Sequence, residues 1–276
     1  MYVFNRGKSE EESEEDKRFR LLSWNIDGLD MPTAVKRAHT VCEIINKENP
    51  HVVYLQEVVE STQEVLEARC PTYQIIPGGD REYFTAIMIK VGSVMYREMN
   101  VTEYPGTRMM RNLLCVKCKY RGSPLTLMTS HLESTAEYGT ERKAQLKMAF
   151  DKMVNEPEDR TVIFGGDLNL RDKELAAVGG IPSGIVDLWE ETGSRPEAKY
   201  TWDMTRNDNL TFNGKYKPRC RFDRLYMKSA KPMKLKPVIL NLLDWKSRDS
   251  TGDFLVITGG FSLTMMFKTS FITCLV

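Results

Sequence analysis

Short apolar runs bounded by polar or turn-forming residues recur along this chain, and their spacing predicts both strands and helices. Phe19–Asn25 is apolar and rich in residues that favour extended backbone, which predicts a buried strand. In Ala34–Asn49 the apolar positions Val35, Ala38, Cys42 and Ile45 recur at helical spacing, and the segment stops before Pro50. His51–Leu55 reads as a second buried strand, with Glu57 just past its end. Strand-like runs return at Tyr83–Lys90, Leu113–Lys119 and Leu125–Thr129. Glu141–Met153 predicts a helix, Thr161–Phe164 another buried strand, and Phe222–Met227 a strand after a loop-rich stretch. Strands outnumber helices and come both in adjacent pairs and interleaved with helices. Such a pattern suits a mixed-sheet α/β sandwich better than a doubly wound parallel sheet. No repeat of fixed period appears, and no linker is evident after residue 18, so one domain is expected over 19–276.

Residues 1–18 break the pattern: they are polar, acidic and low in complexity, which predicts a disordered tail. Glu10, Glu11, Glu12, Glu14, Glu15 and Asp16 against Arg6 and Lys8 put residues 1–16 at −4, so the formal +1 of the whole chain conceals +5 elsewhere. That surplus suits a polyanionic substrate, although a basic run such as Lys215–Arg221 serves equally as a solvated face. No apolar run is long enough to span a bilayer as a helix, and the N-terminus lacks a basic-then-apolar leader. Cys115 and Cys118 form a C-x-x-C, but they sit in an alternating apolar stretch with no second cysteine or histidine pair. Reduced thiols in a cytosolic or nuclear protein are therefore expected.

Four polar clusters stand at the ends of strand-like runs, where a fold can turn them into one cleft: Ser23–Gly28, Leu55–Val58, Ser130–Ser134 and Gly165–Asn169. Singly they say little, because an Asp or Glu after a strand is commonly a turn former or a helix cap. Asp167 with Asn169 makes an ordinary Asx-type turn, and His131 alone reads as a structural histidine. Together they supply what phosphodiester hydrolysis needs. Asp27 and Glu57 offer carboxylates to a hard cation. Asp167 offers a base, and Asn25, Asn169 and His131 offer donors to phosphate oxygens.

The order strand–Asn, strand–Glu, Ser-His-Leu, Gly-Asp-x-Asn resembles the endonuclease/exonuclease/phosphatase family, whose deoxyribonuclease I-like fold is a four-layer α/β/β/α sandwich. The longer strings Trp24–Leu29, Tyr83–Met88, Met109–Cys115, Thr129–Thr135, Asn169–Asp172, Tyr200–Asp203 and Arg221–Arg224 are similar to its branch that cleaves tyrosyl-DNA bonds. The resemblance implies a Mg²⁺-dependent hydrolase, with Mn²⁺ as the alternative ion, held by Asp27 and Glu57. It implies catalysis by Asp167, Asn25, Asn169 and His131. Substrate would meet Asn25, Ile26, Asp27, Gly28, Leu29, the run His131, Leu132, Glu133, Ser134 and Thr135, then Asn169, Leu170 and Arg171. Trp202 would form part of a wall for the terminal base, a position that a plain core aromatic could also fill. The implied substrate is a DNA 5′ end carrying a tyrosine-linked peptide, as in a trapped topoisomerase 2 adduct. The product would be a 5′-phosphate for double-strand break repair. A tyrosine leaves as phenolate, with a pKa of about 10, so acid assistance matters less than for a sugar alkoxide. A nuclear monomer, possible also in the cytoplasm, follows from the same resemblance. The branch's N-terminal ubiquitin-binding domain has no counterpart here, so a short isoform, a fragment or a truncated gene product is expected.

One element departs from the family. Its C-terminal Ser-Asp-His-Trp-Gly motif, whose histidine is oriented by a carboxylate, is missing, and the histidines here are His39, His51 and His131. Codon degeneracy allows Thr251–Ser262 to be encoded so that another frame reads Gly-Arg-Phe-Pro-Ser-Asp-His-Trp-Gly-Leu-Leu. A frame shift near Asp249–Thr251 is therefore expected, with residues 251–276 out of frame and the chain catalytically impaired. Its last strand would be improvised from Phe254–Ile257 and Leu263–Phe267, with a cost in stability.

Overall fold

Alternation along the first strand decides the architecture. In β1 (Arg18–Asn25), Phe19 and Leu21 enter one apolar core while Leu22 and Trp24 enter another, so both faces of the strand are covered. The computed structural model describes residues 18–206, 216–243, 246–248, 254–256 and 261–267. The acidic tail over 1–17 and the stretch 249–253 lie outside the described residues.

In chain order there follow α1 (Met31–Glu48), β2 (Val52–Val58), α2 (Glu60–Arg69), β3 (Tyr73–Pro77), β4 (Phe84–Lys90) and β5 (Val94–Glu103). Next come β6 (Asn112–Tyr120), β7 (Ser123–Ser130), α3 (Gly139–Asn155), β8 (Thr161–Asp167), α4 (Asp172–Ala177), β9 (Ile185–Asp187) and α5 (Leu188–Glu191). The chain continues with β10 (Trp202–Asp203), β11 (Arg219–Cys220), β12 (Asp223–Lys228), β13 (Leu235–Leu242), β14 (Lys246–Arg248), β15 (Phe254–Val256) and β16 (Phe261–Phe267).

Two six-stranded sheets result, in the orders β13-β16-β1-β2-β4-β3 and β5-β6-β7-β8-β12-β9. Both are mixed: β1 runs parallel to β2 and β7 parallel to β8, with the remaining pairs antiparallel. The sheets face each other across a core of Phe19, Tyr54, Ile87, Val116, Leu127 and Ile163, and the Tyr54 hydroxyl donates across it to the Ile163 carbonyl at 2.9 Å. Helices α1 and α2 cover the outer face of the first sheet through Val41, Ile45 and Leu66. Helix α3 covers the second through Leu146, Phe150 and Met153. This is the expected α/β/β/α sandwich.

Cys115 and Cys118 enter opposite cores, because residues three apart on a strand face opposite ways. That separation removes them as a ligand pair. β8 runs three residues further than its apolar pattern suggested, through Gly165 and Gly166. At Gly166 φ is +133°, and a Cβ there would lie 2.4 Å from the Ser130 carbonyl oxygen, so only glycine lets the strand reach Asp167 in register. β16 lies between β1 and β13, pairing Leu263 with Leu21 and Met265 with Phe19, and all four of these side chains are fully buried.

Candidate active site

The two sheets deliver their polar residues to one end of the sandwich. Asn25 closes β1, and Glu57 lies in a bulge near the end of β2, where the pairing with β4 shifts register. Such a bulge re-aims a side chain. Asp167 closes β8, Asp223 opens β12 directly across from it, and His131 follows β7. The Asn25 amide ties the two sheets together, donating to Glu57 Oε1 at 3.0 Å and to Asp167 Oδ2 at 3.1 Å. His131 Nε2 lies 3.5 Å from Asp167 Oδ2, and its Nδ1 lies 3.8 Å from Glu57 Oε1. The pivotal polar residues from four separated clusters therefore meet in one place.

Arg111 fixes the state of His131. A guanidinium can only donate, and Arg111 Nη1 sits 2.7 Å from His131 Nδ1, so Nδ1 accepts and the ring proton belongs on Nε2, facing Asp167. Burial, and then the Arg111 charge, hold the imidazole pKa well below its usual value, so the ring is neutral at pH 7. Arg111 also donates to Ser134 Oγ at 3.1 Å and stands over the Tyr83 ring at 5.2 Å. A small recess here is lined by Glu57, Tyr83, Arg111 and His131.

The backbone is strained around this point. Asp27, Glu57, Met110, Thr135 and Asn169 all have φ between +48° and +59°. Asp and Asn adopt this conformation readily, but Glu, Met and the β-branched Thr do so at a cost of order 1–3 kcal/mol each. Such strain persists only where surrounding bonds over-determine it, and here it surrounds the carboxylates.

The expected substrate contacts divide on inspection. Ile26, Leu132 and Leu170 are core side chains, and Glu133 is fully buried, so these four support the cleft from behind. Gly28 is buried too; its N–H donates to the Glu57 carbonyl at 3.1 Å, and a Cβ would lie 2.2 Å from that oxygen. The correction has a simple cause: the segments that follow β1, β7 and β8 pack back onto the sandwich, so several side chains there are buried. Asn25 has its amide directed at two carboxylates, and its Oδ1 accepts from Asp27 N at 2.9 Å, so it is a bridge within the site rather than a free donor. Asn169 remains adaptable, since its Nδ2 makes only 3.3 Å contacts to the Leu132 carbonyl and Ser134 Oγ. Leu29, Ser134, Thr135 and Arg171 keep some exposure at the rim. Trp202 tilts against Phe222 at 5.8 Å, while the Arg171 guanidinium lies 5.5 Å over the Phe222 ring, making a ledge of two aromatics and a cation.

Arg111, Asp223 and Phe222 escaped prediction as site residues. The signal for Arg111 was a charge set among Met109, Met110, Leu113 and Leu114 at a strand entrance. Asp223 is buried; burial and then Asp167 push its carboxyl well above the usual range, and its Oδ1 has no hydrogen-bond partner among the described residues.

The donors suit a hard cation. Glu57 and Asp27 present only oxygen, and the Glu57 carboxyl is raised by burial and by its neighbours Asp167 and Asp27, a repulsion that a divalent ion relieves. Among the described residues no cluster of three or more metal-binding side chains occurs, and Asp27 also pairs with Arg37 at 3.5 Å. A hard divalent cation can be held by one or two carboxylates with water completing its shell, so the oxygen donors present fit such an ion.

Known proteins resemble this chain in sequence and in fold. Residues 22–233 match the model of the Endonuclease/Exonuclease/phosphatase family. The chain is 42% identical to tyrosyl-DNA phosphodiesterase 2 of Xenopus laevis over 248 residues, covering 90% of this chain and 66% of that protein. Against the Homo sapiens protein of the same name it is 45% identical over 219 residues, covering 79% and 60%. The chain thus spans somewhat less than two thirds of the length of these relatives. The crystal structure of D. rerio TDP2 complexed with single strand DNA product superposes with a TM-score of 0.86 at 38% identity, covering 91% of this chain and 99% of that one. A family model over most of the chain and relatives well above 30% identity leave one assignment: this chain is a member of the endonuclease/exonuclease/phosphatase family.

Proposed function

We propose that this chain descends from a divalent-cation-dependent phosphodiesterase that cleaves the bond between a protein tyrosine and a DNA 5′-phosphate. The observation that carries the reading is the Asn25 bridge between Glu57 and Asp167, which joins the ends of two sheets into one oxygen-rich cleft beside a neutral His131. Relatives named tyrosyl-DNA phosphodiesterase 2, and a TDP2 crystal structure complexed with single strand DNA product, support the choice of substrate.

Each residue then has a task. Asp167 takes a proton from the attacking water, and it is oriented for this by Asn25 and by the Asn169 N–H at 3.0 Å. His131, Asn169 and Arg111 provide donors or positive charge toward non-bridging oxygens. Glu57, with Asp27, would hold Mg²⁺, which when bound supplies positive charge to the phosphate and the departing phenolate. Trp202 and Phe222 offer stacking to a terminal base, a mode that needs no sequence readout. The protein would act on trapped topoisomerase 2 adducts in the nucleus as a monomer, leaving a ligatable 5′-phosphate.

The chain as it stands we read as impaired. It has no histidine beyond His131, and the buried Asp223 keeps one carboxyl oxygen without a hydrogen-bond partner among the described residues. It would then bind DNA ends while turning over poorly. A single 5′-phosphotyrosyl oligonucleotide tests both statements. Metal-dependent binding with little tyrosine release is expected, and full turnover would refute the impairment. Indifference to DNA alongside hydrolysis of another phosphoester would overturn the substrate.

A further inference from the structure

We propose that Glu133 is a positioning residue, which holds Arg111 in the cleft by gripping the loop in front of it. This rests on the phosphodiesterase reading only for what Arg111 then does.

Glu133 is fully buried, so its carboxylate meets neither solvent nor substrate. Its Oε1 instead gathers the loop between β5 and β6. Thr107 Oγ1 donates to it at 2.7 Å, Arg108 N at 2.7 Å and Met109 N at 3.3 Å. Successive backbone N–H groups closing on one anion form a nest, and bonds to a charged acceptor are the strong ones. The Thr107 hydroxyl passes the grip on, because the same oxygen accepts the Arg111 N–H at 2.8 Å. From that anchored backbone the Arg111 guanidinium reaches His131 Nδ1 and Ser134 Oγ. Between anchor and guanidinium sits Met110 at φ +54°, a conformation that methionine holds only under restraint.

The other side of Glu133 is fastened to α3. Its N–H donates to Gln145 Oε1 at 3.0 Å, Gln145 Nε2 returns a 3.4 Å contact to Oε1, and its carbonyl takes Arg142 Nη1 at 2.6 Å. Arg142 is itself held by Glu174 of α4, with bonds of 3.0 and 2.6 Å, so the clamp stands on two helices. A carboxylate with these connections transmits helix position to a loop, and through the loop to a cation.

Two measurements on the full chain test this. The first is amide hydrogen exchange in Glu133→Gln and Thr107→Val. Exchange should accelerate at residues 107–111 while the β8 amides of 161–167 keep their protection; unchanged exchange at 107–111 overturns the proposal. The second is affinity for a 5′-phosphorylated single-stranded oligonucleotide in a double-mutant cycle. Glu133→Gln and Arg111→Ala should each weaken binding about tenfold, and the double variant should lose no more than Arg111→Ala alone. Independent, multiplying losses would overturn it. If the wild-type chain binds no oligonucleotide, the functional reading fails while the exchange result still decides the role of Glu133. If Glu133→Gln does not fold, Thr107→Val, which cuts the relay and leaves the carboxylate in place, decides the question in the same way.

Discussion

The two sheets reach the cleft with unequal equipment. In the second sheet the central strand β8 ends in Asp167, one neighbour leads into His131, and the other opens with Asp223. In the first sheet β1 ends in Asn25 and its neighbour β2 brings Glu57, but the strand on its other side, β16, brings no titratable group at all. Yet β16 is a competent strand by packing: it pairs with β1 over six residues and with β13, and Leu263 and Met265 are buried completely. Filling a strand position needs only alternating apolar residues, which many sequences supply by chance. Supplying a catalytic group needs one residue at one position, which few do.

The comparison breaks most directly by adding to this strand the histidine that the proposed function asks of it. Replacing residues 251–276 with a tail carrying Ser-Asp-His-Trp-Gly should raise tyrosine release from a 5′-phosphotyrosyl oligonucleotide by on the order of 10²–10⁴, the usual contribution of one acid–base group. Affinity for the same oligonucleotide should change little. Equal turnover before and after the exchange would mean that the first sheet lacks nothing.

A second variant asks whether β16 is as well seated as it looks. Leu263→Ala should destabilise the chain by about 2–5 kcal/mol, the cost of emptying a buried leucine site, and Leu225→Ala in β12 serves as the reference in the other sheet. Urea unfolding measures both. A loss well below about 1 kcal/mol at Leu263 alone would show that the strand is only laid against the sheet.

The same contrast explains which features could be read from the sequence. β1, β4, β6 and β7 were legible to within two residues because buried strands announce themselves as apolar runs. Helix α2 was not, since only Thr62 and Leu66 of its ten residues are buried and no apolar stripe forms. β5 was missed because it is an edge strand with most of its side chains in solvent. In the site, Asn25, Glu57, Asp167 and Asn169 were legible because each lies at, just before or just past a strand end. Arg111, Asp223 and the grip of the Glu133 carboxylate on residues 107–109 depend on partners 20 or more residues away, and no local pattern carries that information.

Stability should also depend on pH through the pole opposite the cleft. His51 stacks on Phe19 and accepts the Arg20 N–H at 3.0 Å; burial, then Lys90 and Arg20, lower its pKa to about 4. Between about pH 6.5 and 4 the unfolded chain holds a proton that the native chain refuses. The contribution is thus intact above about pH 6.5 and is lost as pH falls toward 4, by up to about 3 kcal/mol. His51→Asn keeps an acceptor for Arg20 and should flatten the curve in that window. An unchanged difference between about pH 7 and pH 4.5 would remove His51 from the account.

The smallest effect sharpens the comparison most, because it concerns binding alone. Trp202 and Phe222, with Arg171 beside them, lie next to the start of β12 in the second sheet. If that sheet grips DNA ends independently of the first, Trp202→Ala should weaken binding of a 5′-phosphorylated single strand by about 1–3 kcal/mol, the worth of stacking one base. The loss should be the same whether or not the tail carries the restored histidine, since stacking and leaving-group chemistry share no partner. Fluorescence anisotropy on the two backgrounds measures it without turnover. A tryptophan that serves only as core would betray itself differently: its removal would lower the unfolding midpoint while leaving affinity per folded molecule untouched.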